Sequence, residues 1–444
     1  MSVTTQANVS ALMKQLYLPV LENTIFQDTG LLDLIPLYKG EVRGADVRHA
    51  VELTRTHGGG ARGAGEFLPV DYYESFQQSI VTLKRWYYTI SIDGFAVENI
   101  AGQEGTFVDY LTKRMQSAQR DASNQLNRIC HMDGTGVVGV VGTAATASTS
   151  VVLKHVWPNG FGQDTTTTGV PTGGVSYTHG ATQFLEEDDS IGIAAVTYTA
   201  GVPAISGPVK TARIVSMDWA TQTLTLDTAV TVAADEVVFF ADSHSNSFQK
   251  EASGLRNLIQ GNAGKTVQGI STNYRRWRST VVDKTAAPVP YDWTHVTRVA
   301  SAAMYHGGSE PQNIYIMCHP SLLEEHTRLV DPDVRYAPTD FTLNKGLNVP
   351  TFQVLGKNIP VKTSTACGFH ELICLNASEL ERLQLAPISW DTRGGELKNI
   401  QGKDALYGYL KYYYNVAARS LNHLARFDGI QVDTEYVKMI HETA

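Results

Sequence analysis

Several short motifs contain residue types that can bind phosphate. The glycine run Gly58 to Gly63 fits the spacing GxGxxG, in which backbone N–H groups hold the pyrophosphate of a dinucleotide. Such a site needs a helix directly after the glycines, and Glu66 to Pro69 begins none. Gly264 to Thr266 is similar to the end of a phosphate-binding loop, but Ile259 stands where the first glycine of that loop must be. The sequence therefore predicts no nucleotide site.

Other motifs contain residue types that can bind metal or catalyse. The carboxylates of Glu186 to Asp189 are ligands that suit calcium, but they are consecutive, which favours a solvated acidic loop over a calcium site. The histidines are scattered, and no serine stands in a GxSxG motif. No two cysteines form a CxxC pair, which predicts reduced thiols: Cys130, Cys318, Cys367 and Cys374. We therefore expect no catalytic, cofactor-binding or metal site.

Composition limits the class of protein. The chain has 444 residues, of which 43% are hydrophobic, so it can bury two to three ordinary cores. A net charge of −8 opposes binding of nucleic acid through its phosphates, so DNA is expected only as a neighbour without sequence-specific binding. No signal peptide and no apolar run of membrane-spanning length is visible.

The N-terminal third predicts an arm, a hairpin and a long helix. Residues 1 to about 40 carry apolar clusters that need cover from another surface. Asp46 to Thr54 and Phe76 to Ile92 have strand composition and flank a glycine-rich tip, which predicts one long hairpin. A two-stranded ribbon is marginally stable alone, so it must lie on its own domain or on a neighbour. Apolar residues at helical spacing then predict a helix of about 40 Å from Thr106 to Met132. They are Phe107, Leu111, Met115, Ala118, Ala122, Leu126 and Ile129.

The remainder divides into a β-rich part and a mixed part. Residues 136 to 250 are rich in Gly, Thr, Ser, Val and Ala, which predicts an all-β domain. Its strands are expected at Ala212 to Ser216, Thr223 to Leu226 and Val237 to Phe240. After Glu251 the pattern is α/β. It predicts helices at Trp293 to Tyr305 and Ser321 to Leu329, and strands at Asn313 to Cys318, Phe352 to Leu355, Glu371 to Leu375 and Ala405 to Tyr414.

This order of elements resembles the Hong Kong 97-type fold of the major capsid proteins of tailed bacteriophages. The most specific pieces are the glycine-rich hairpin that precedes Thr106 to Met132 and the run from Glu251 to Ile259, which Gly269-Ile270 and Trp277 to Ser279 follow. The resemblance implies an α+β capsid fold with an inserted all-β domain. Its parts are an N-terminal arm (1–45), an E-loop hairpin (46–93), the spine helix of the peripheral domain (94–135), the inserted β domain (136–250), the peripheral domain continued (251–310), the axial domain (311–385), and return strands with the C-terminus (386–444).

The resemblance also implies how copies meet. The subunit would assemble into hexamers and pentamers around a portal, and the hairpin of one subunit would lie over the peripheral domain of its neighbour. Candidate intersubunit contacts are Arg55, Arg62, Glu66, Phe67, Trp86 and Tyr88. For the charged residues, solubility of the tip is an equally good explanation, since exposed ion pairs contribute only about 0 to 1 kcal/mol. Packing within the subunit is an equally good explanation for Trp86 and Tyr88.

Two departures from the family refine this expectation. Some members join subunits through a hairpin lysine, but residues 55 to 67 contain no lysine and Lys84 lies well down the return strand, which predicts a non-covalent shell. Some members begin with a scaffolding segment of about a hundred residues, whereas this chain enters its arm almost at once, which implies a separate scaffolding protein.

The functional hypothesis is a structural capsid protein that encloses double-stranded DNA. It is not an enzyme, has no cofactor, is made in the bacterial host cytoplasm and resides in the virion capsid. A decoration protein is a further candidate partner. Residues 136 to 250 are expected on the outer surface, where they either reinforce contacts within a capsomer or substitute for a decoration protein. The alternative is a phage surface or tail adhesion protein, because a Thr/Gly/Val-rich middle is typical of receptor-binding β domains. An enzyme of unknown class is a third possibility.

Overall fold

The structure is a computed structural model, and it describes most of the chain. The described residues are 30–40, 42, 44–55, 59–67, 70, 73–93, 104–154, 181–199, 202–284, 288–307, 313–326, 351–354, 357–391, 398–399 and 404–431.

Two antiparallel strands, β1 (Asp46–Thr54) and β2 (Ser75–Thr82), form the predicted hairpin. The prediction that its return strand runs on to Ile92 is wrong. The strand is interrupted at Leu83. The next strand, β3 (Lys84–Asp93), pairs instead with β22 (Ala405–Ala418). The reason is that β3 finds a long partner strand in the body of the molecule, which buries its inner face as the hairpin cannot.

Strand β22 lies at the centre of a four-stranded sheet. It pairs with β3 on one edge, and with β20 (Leu380–Trp390) and the short β21 (Lys398–Asn399) on the other. Tyr88 on the inner face of β3 donates a hydrogen bond to Asp121 of the long helix, at 3.3 Å. The sheet therefore has the long helix on one face.

The long helix spans Glu104–His131, which confirms the helix predicted from Thr106 to Met132. Its 28 residues give a rod of about 42 Å at 1.5 Å per residue. The residues at helical spacing that the structure describes are buried, and they join the largest core of the molecule: Met115, Ala118, Ala122, Leu126 and Ile129.

After the helix, six strands close into a barrel. Their order around the barrel is β10-β5-β4-β11-β6-β9, and the three strands predicted in this part of the chain belong to it. The strands are β4 (Val137–Val141), β5 (Ala145–Lys154), β6 (Ser190–Ala194), β9 (Lys210–Asp218), β10 (Thr223–Val232) and β11 (Val237–Phe240), while β7 (Val196–Thr199) and β8 (Val202–Ile205) form a separate hairpin. Closure removes the exposed edges that an open sheet would leave.

The barrel is tied to the rest of the molecule at its entry and exit. Arg128 near the end of the long helix makes two hydrogen bonds to Glu251, at 2.5 and 3.2 Å, and its guanidinium lies 5.1 Å from the ring centre of Phe240. The backbone N–H of Gln249 donates to the carbonyl of Thr135 at 2.7 Å. The chain thus leaves the barrel beside the point at which it enters.

A six-stranded mixed sheet completes the architecture, with the order β14-β23-β19-β16-β18-β17. Its strands are β14 (Thr280–Asp283), β16 (Ile314–Cys318), β17 (Thr351–Val354), β18 (Lys357–Thr363), β19 (Glu371–Asn376) and β23 (Ala425–Asp428). The helix Trp293–Gly307 packs on this sheet, as the burial of Val296, Val299 and Ala303 in its core shows, and a further helix covers residues 320–326.

Smaller elements connect these parts. They are the helices Leu31–Leu34 and Leu255–Leu258, the strands β12 (Thr266–Val267), β13 (Ile270–Ser271), β15 (Val289–Pro290) and β24 (Ile430–Gln431), and the 3-10 turns Arg275–Trp277 and Ala377–Glu379. None of the helices in the described ranges has both the length and the apolar character that crossing a bilayer requires.

The described part of the arm and several residues of the hairpin strands pack on their own chain, which is one of the two alternatives left open for the hairpin. Leu31, Leu32 and Ile35 are at most 2% exposed in the core that contains the long helix. Leu53 of β1 joins the same core, and Val81 of β2 packs with Leu383 and Ala417. The clusters at positions 12, 13, 16 and 17 lie outside the described residues. At the hairpin tip, by contrast, large apolar side chains remain exposed.

Candidate intersubunit surface

Apolar side chains at the hairpin tip lie in solvent. Phe67 is 96% exposed and Tyr73 is 95% exposed, and Val70 and Phe76 are also exposed. The four recur every three residues along the return limb of the loop. Grouped apolar side chains on a surface mark interaction sites more often than scattered ones do. We call Phe67, Val70, Tyr73 and Phe76 the apolar tip.

Charged residues shape the loop beside the apolar tip. Arg62 donates through Nε to the carbonyl of Phe67 at 3.2 Å and through Nη1 to the carbonyl of Ala61 at 3.3 Å. Glu66 accepts a hydrogen bond from the backbone N–H of Gly63 at 2.8 Å. Arg62 and Glu66 thus brace the turn that presents Phe67, while Arg55 is exposed at the end of β1.

The two aromatic candidates on β3 face inward in this chain. Trp86 packs against the main core and stacks on Tyr88, with ring centres 6.1 Å apart. Tyr88 is held by its hydrogen bond to Asp121. The structure therefore places these two within their own subunit and away from the tip. The residue between them, Tyr87, points to the opposite face and is 48% exposed.

The outer face of the sheet around Tyr87 was not predicted from the sequence. Its ring lies edge-on to those of Tyr409 and Tyr413, at 6.0 and 6.1 Å between centres. Next to them, the carboxylate of Asp391 accepts hydrogen bonds from three side chains, namely Lys398 at 2.5 Å, Tyr409 at 2.6 Å and Lys411 at 2.8 Å. Alternation of Tyr407, Tyr409, Lys411 and Tyr413 along β22 is the sequence signal that could have found this face.

The chemical motifs take structural roles in the described residues. Gly264 to Thr266 forms a turn into β12, and Asp188 of the acidic loop makes an exposed ion pair with Arg213 at 2.7 Å. All four cysteines are buried as free thiols. Where the structure describes the chain, no three His, Cys, Asp or Glu residues are grouped so as to hold a metal ion. Gly58, the first residue of the glycine run, lies outside the described residues.

The chain is similar to known proteins in structure but not in sequence. No protein-family model matches the chain, and no curated protein matches it. Among solved structures, a chain of the cyanophage A-1(L) capsid asymmetric unit matches with a TM-score of 0.51 at 12% identity, covering 90% of this chain and 93% of that one. A chain from the capsid of a native GTA particle matches with a TM-score of 0.47 at 8% identity, covering 91% of each.

A third match is a chain of the satellite phage P4 procapsid, a structure that includes the size determination (Sid) protein. Its TM-score is 0.39 at 10% identity, with 98% of this chain and 99% of that chain covered. The match to the cyanophage A-1(L) capsid chain shows that this chain has the fold of a phage capsid protein. This confirms, at the level of the fold, the resemblance to the major capsid proteins of tailed bacteriophages.

Proposed function

We propose that this protein is the major capsid subunit of a tailed bacteriophage and has a structural, non-enzymatic role. It assembles into the hexamers and pentamers of an icosahedral head that encloses double-stranded DNA. The observation that carries the proposal is the fold shared with the cyanophage A-1(L) capsid chain over 90% of this sequence. The exposed apolar tip supports it, because a projecting aromatic surface is suited to contact another molecule.

The parts of the Hong Kong 97-type subunit follow from this proposal. Residues 46–82 form the E-loop hairpin, and Glu104–His131 is the spine helix of the peripheral domain. The closed barrel between Val137 and Phe240 is the inserted β domain. The six-stranded sheet that contains β16 to β19 provides the axial domain.

In the shell, the apolar tip of one subunit lies against the next subunit. Burial of an exposed aromatic side chain contributes about 1.5–3 kcal/mol. Phe67, Tyr73 and Phe76 can thus supply several kcal/mol at each contact, repeated over the whole shell. Arg55, Arg62 and Glu66 contribute less, because exposed ion pairs are worth about 0–1 kcal/mol. We assign Trp86 and Tyr88 to the packing of the subunit itself.

Further partners follow from the same role. A portal, a separate scaffolding protein and, on some heads, a decoration protein would join the shell. The protein would be synthesised in the bacterial host cytoplasm and would reside in the virion. Its net charge of −8 opposes binding of the packaged DNA through its phosphates, so the DNA would be a neighbour of the shell and not a ligand of it.

Electron microscopy of the purified, concentrated protein tests the proposal. We expect closed or aberrant shells, and we expect the double variant Phe67→Ser/Tyr73→Ser to yield several-fold fewer particles with unchanged subunit stability. The matched control is Tyr305→Ser, which removes an 82% exposed aromatic residue from a different part of the molecule. Persistent monomers or slender trimers of the unaltered protein would contradict the proposal and favour an adhesion protein instead.

A further inference from the structure

Two tyrosines on the outer face of the four-stranded sheet have their hydroxyl groups in contact. Tyr87 of β3 stands opposite Lys411 of β22, and Tyr413 is two residues further on, so the two are diagonal neighbours. Their hydroxyl oxygens are 3.3 Å apart. Their ring centres are 6.1 Å apart, with the ring planes at 82°. Both phenol groups are thus held together on a face that solvent reaches.

We propose that Tyr87 and Tyr413 form an oxidative modification site at which a one-electron oxidant joins the two rings as dityrosine. Each phenol gives one electron to the oxidant and one proton to water, which produces two tyrosyl radicals. The radicals combine through one ring carbon next to each hydroxyl. In total, two ring C–H bonds break, one C–C bond forms, and two protons and two electrons leave. Both hydroxyl groups remain.

The contact between the two hydroxyl groups favours this pair because each reacting carbon is bonded to the carbon that carries the hydroxyl. The hydrogen bond with Tyr413, and then burial, raise the pKa of Tyr87. Tyr87 therefore stays protonated in neutral solution, and the hydrogen bond keeps the two rings together before oxidation. The pair is at the surface, so the two side chains can rotate until the reacting carbons meet.

Other tyrosine pairs nearby lack either access to solvent or a contact between their two hydroxyl groups. The rings of Tyr412 and Tyr414 are closer, at 4.3 Å, but both side chains are about 1% exposed and face the core. A dissolved oxidant cannot reach them. Tyr409 is also next to Tyr87, but its hydroxyl donates to the carboxylate of Asp391 and is thus directed to a different partner.

The expected product ties β3 to β22 within one subunit. Strand β3 directly follows the hairpin, and β22 is the central strand of the sheet, so the bond would fix the sheet at the base of the hairpin. Because both tyrosines belong to one chain, the product has the mass of a monomer. This site goes beyond the proposed shell function and does not depend on it.

The test is oxidation of the purified full-length protein by a photo-generated one-electron oxidant, a ruthenium(III) complex formed with persulfate. Dityrosine fluorescence and peptide mass spectrometry are then measured. We expect one dominant cross-linked pair, containing Tyr87 and Tyr413, with the loss of two hydrogen atoms. Tyr87→Phe and Tyr413→Phe should each abolish it. Both keep the aromatic ring, so the sheet should still fold.

Tyr73→Phe is the control, because it removes a 95% exposed tyrosine that lies on the apolar tip. This variant should keep the cross-link between Tyr87 and Tyr413. Dityrosine that persists at full strength in Tyr87→Phe, or that maps to other residues, would overturn the proposal. So would the absence of dityrosine under conditions that oxidise Tyr73.

Discussion

Asp391 shows how one buried carboxylate can join three strands. It follows β20, and it accepts hydrogen bonds from Lys398 of β21 and from Tyr409 and Lys411 of β22. Its side chain is only 3% exposed. Burial alone would raise the pKa of Asp391, but the hydrogen bonds from Lys398, Lys411 and Tyr409 outweigh burial and hold the pKa well below its usual range.

This lowered pKa predicts a dependence of stability on pH. A carboxylate with a lower pKa in the folded state stabilises the protein above its unfolded pKa of about 3.9, and this contribution is lost as the pH falls below that value. Asp391→Asn should lower the free energy of unfolding at neutral pH by about 1.5–3 kcal/mol, the range for hydrogen bonds to charged groups. Urea unfolding of both proteins at about pH 7 and about pH 3 measures the difference, which should shrink at the lower pH.

The control for this prediction is Asp46→Asn. Asp46 pairs with Arg48 at 3.0 Å, but the two side chains are 36% and 59% exposed. An exposed pair of this kind contributes about 0–1 kcal/mol. A difference for Asp391→Asn that stays constant from about pH 7 to about pH 3 would contradict the assignment.

A second buried charge lies between the barrel exit and the six-stranded sheet. Arg256 pairs with Glu371, and their side chains are 0% and 2% exposed. Arg256→Met would leave the Glu371 carboxylate without this partner, and we expect a loss of about 3–5 kcal/mol in the free energy of unfolding. Thermal unfolding should show the loss, and adding Glu371→Gln should recover part of it. A double variant no more stable than the single one would argue against a specific ion pair.

At the scale of elements, Gly254 fits the barrel exit against the end of the long helix. An added Cβ would lie 2.2 Å from the carbonyl oxygen of Met132 and 2.5 Å from that of Ile129. Gly254→Ala should therefore push the helix end away and cost about 1–3 kcal/mol or more, measured as a lower unfolding midpoint. The control is Gly207→Ala, where a Cβ meets nothing within 4 Å and should change stability by about 0.5 kcal/mol or less. Equal losses of stability in the two variants would show that close packing against the helix end is not what requires a glycine at position 254.

Elements with strong local patterns were predictable from the sequence, and their long-range pairings were not. The long helix follows from apolar residues at helical spacing, and β1 follows from strand composition at its observed bounds. The pairing of β3 with β22 joins residues more than 300 positions apart, and no local pattern encodes such a contact. The apolar character of Leu31 and Leu32 also did not show that they pack in the same core as the long helix of their own chain.

Local sequence patterns were equally limited in predicting the candidate intersubunit surface. Phe67 was predicted as a contact and is exposed, because a glycine-rich tip leaves a large side chain without cover. Trp86 and Tyr88 were predicted from residue type alone. Which face of a strand is buried depends on the helix packed against it, so the exposed residue proved to be Tyr87.

At the scale of the whole molecule, the sequence predicts a shell without covalent links between subunits. Residues 55 to 67 contain no lysine, and Lys84 is partly buried, donating to the carbonyl of Gln249 at 3.1 Å. A denaturing gel of mature particles should therefore show one band of single-chain mass. A ladder of multiples of that mass would contradict the prediction.

The barrel should be removable without unfolding the rest of the subunit. Thr135 and Gln249 are joined by a backbone hydrogen bond of 2.7 Å, so a linker of a few residues can replace the residues between them. The remainder keeps both hydrogen bonds between Arg128 and Glu251. It loses the contact of Arg128 with Phe240, which is worth about 0.5–2 kcal/mol. It also loses the hydrogen bonds that Gln183 donates to the carbonyls of Thr365 and Cys367, at 2.9 and 2.8 Å.

We expect the shortened protein to fold with the circular dichroism of the remaining elements and to form particles with a lower thermal midpoint than intact ones. The reason is that the barrel, as an outer domain, would reinforce contacts within a capsomer. A control that replaces only the β7–β8 hairpin with a short turn leaves the closed barrel intact and should keep the original midpoint. Particles of unchanged stability after removal of the whole barrel would exclude the reinforcing role, and failure of the remainder to fold would show that the barrel is part of the subunit core.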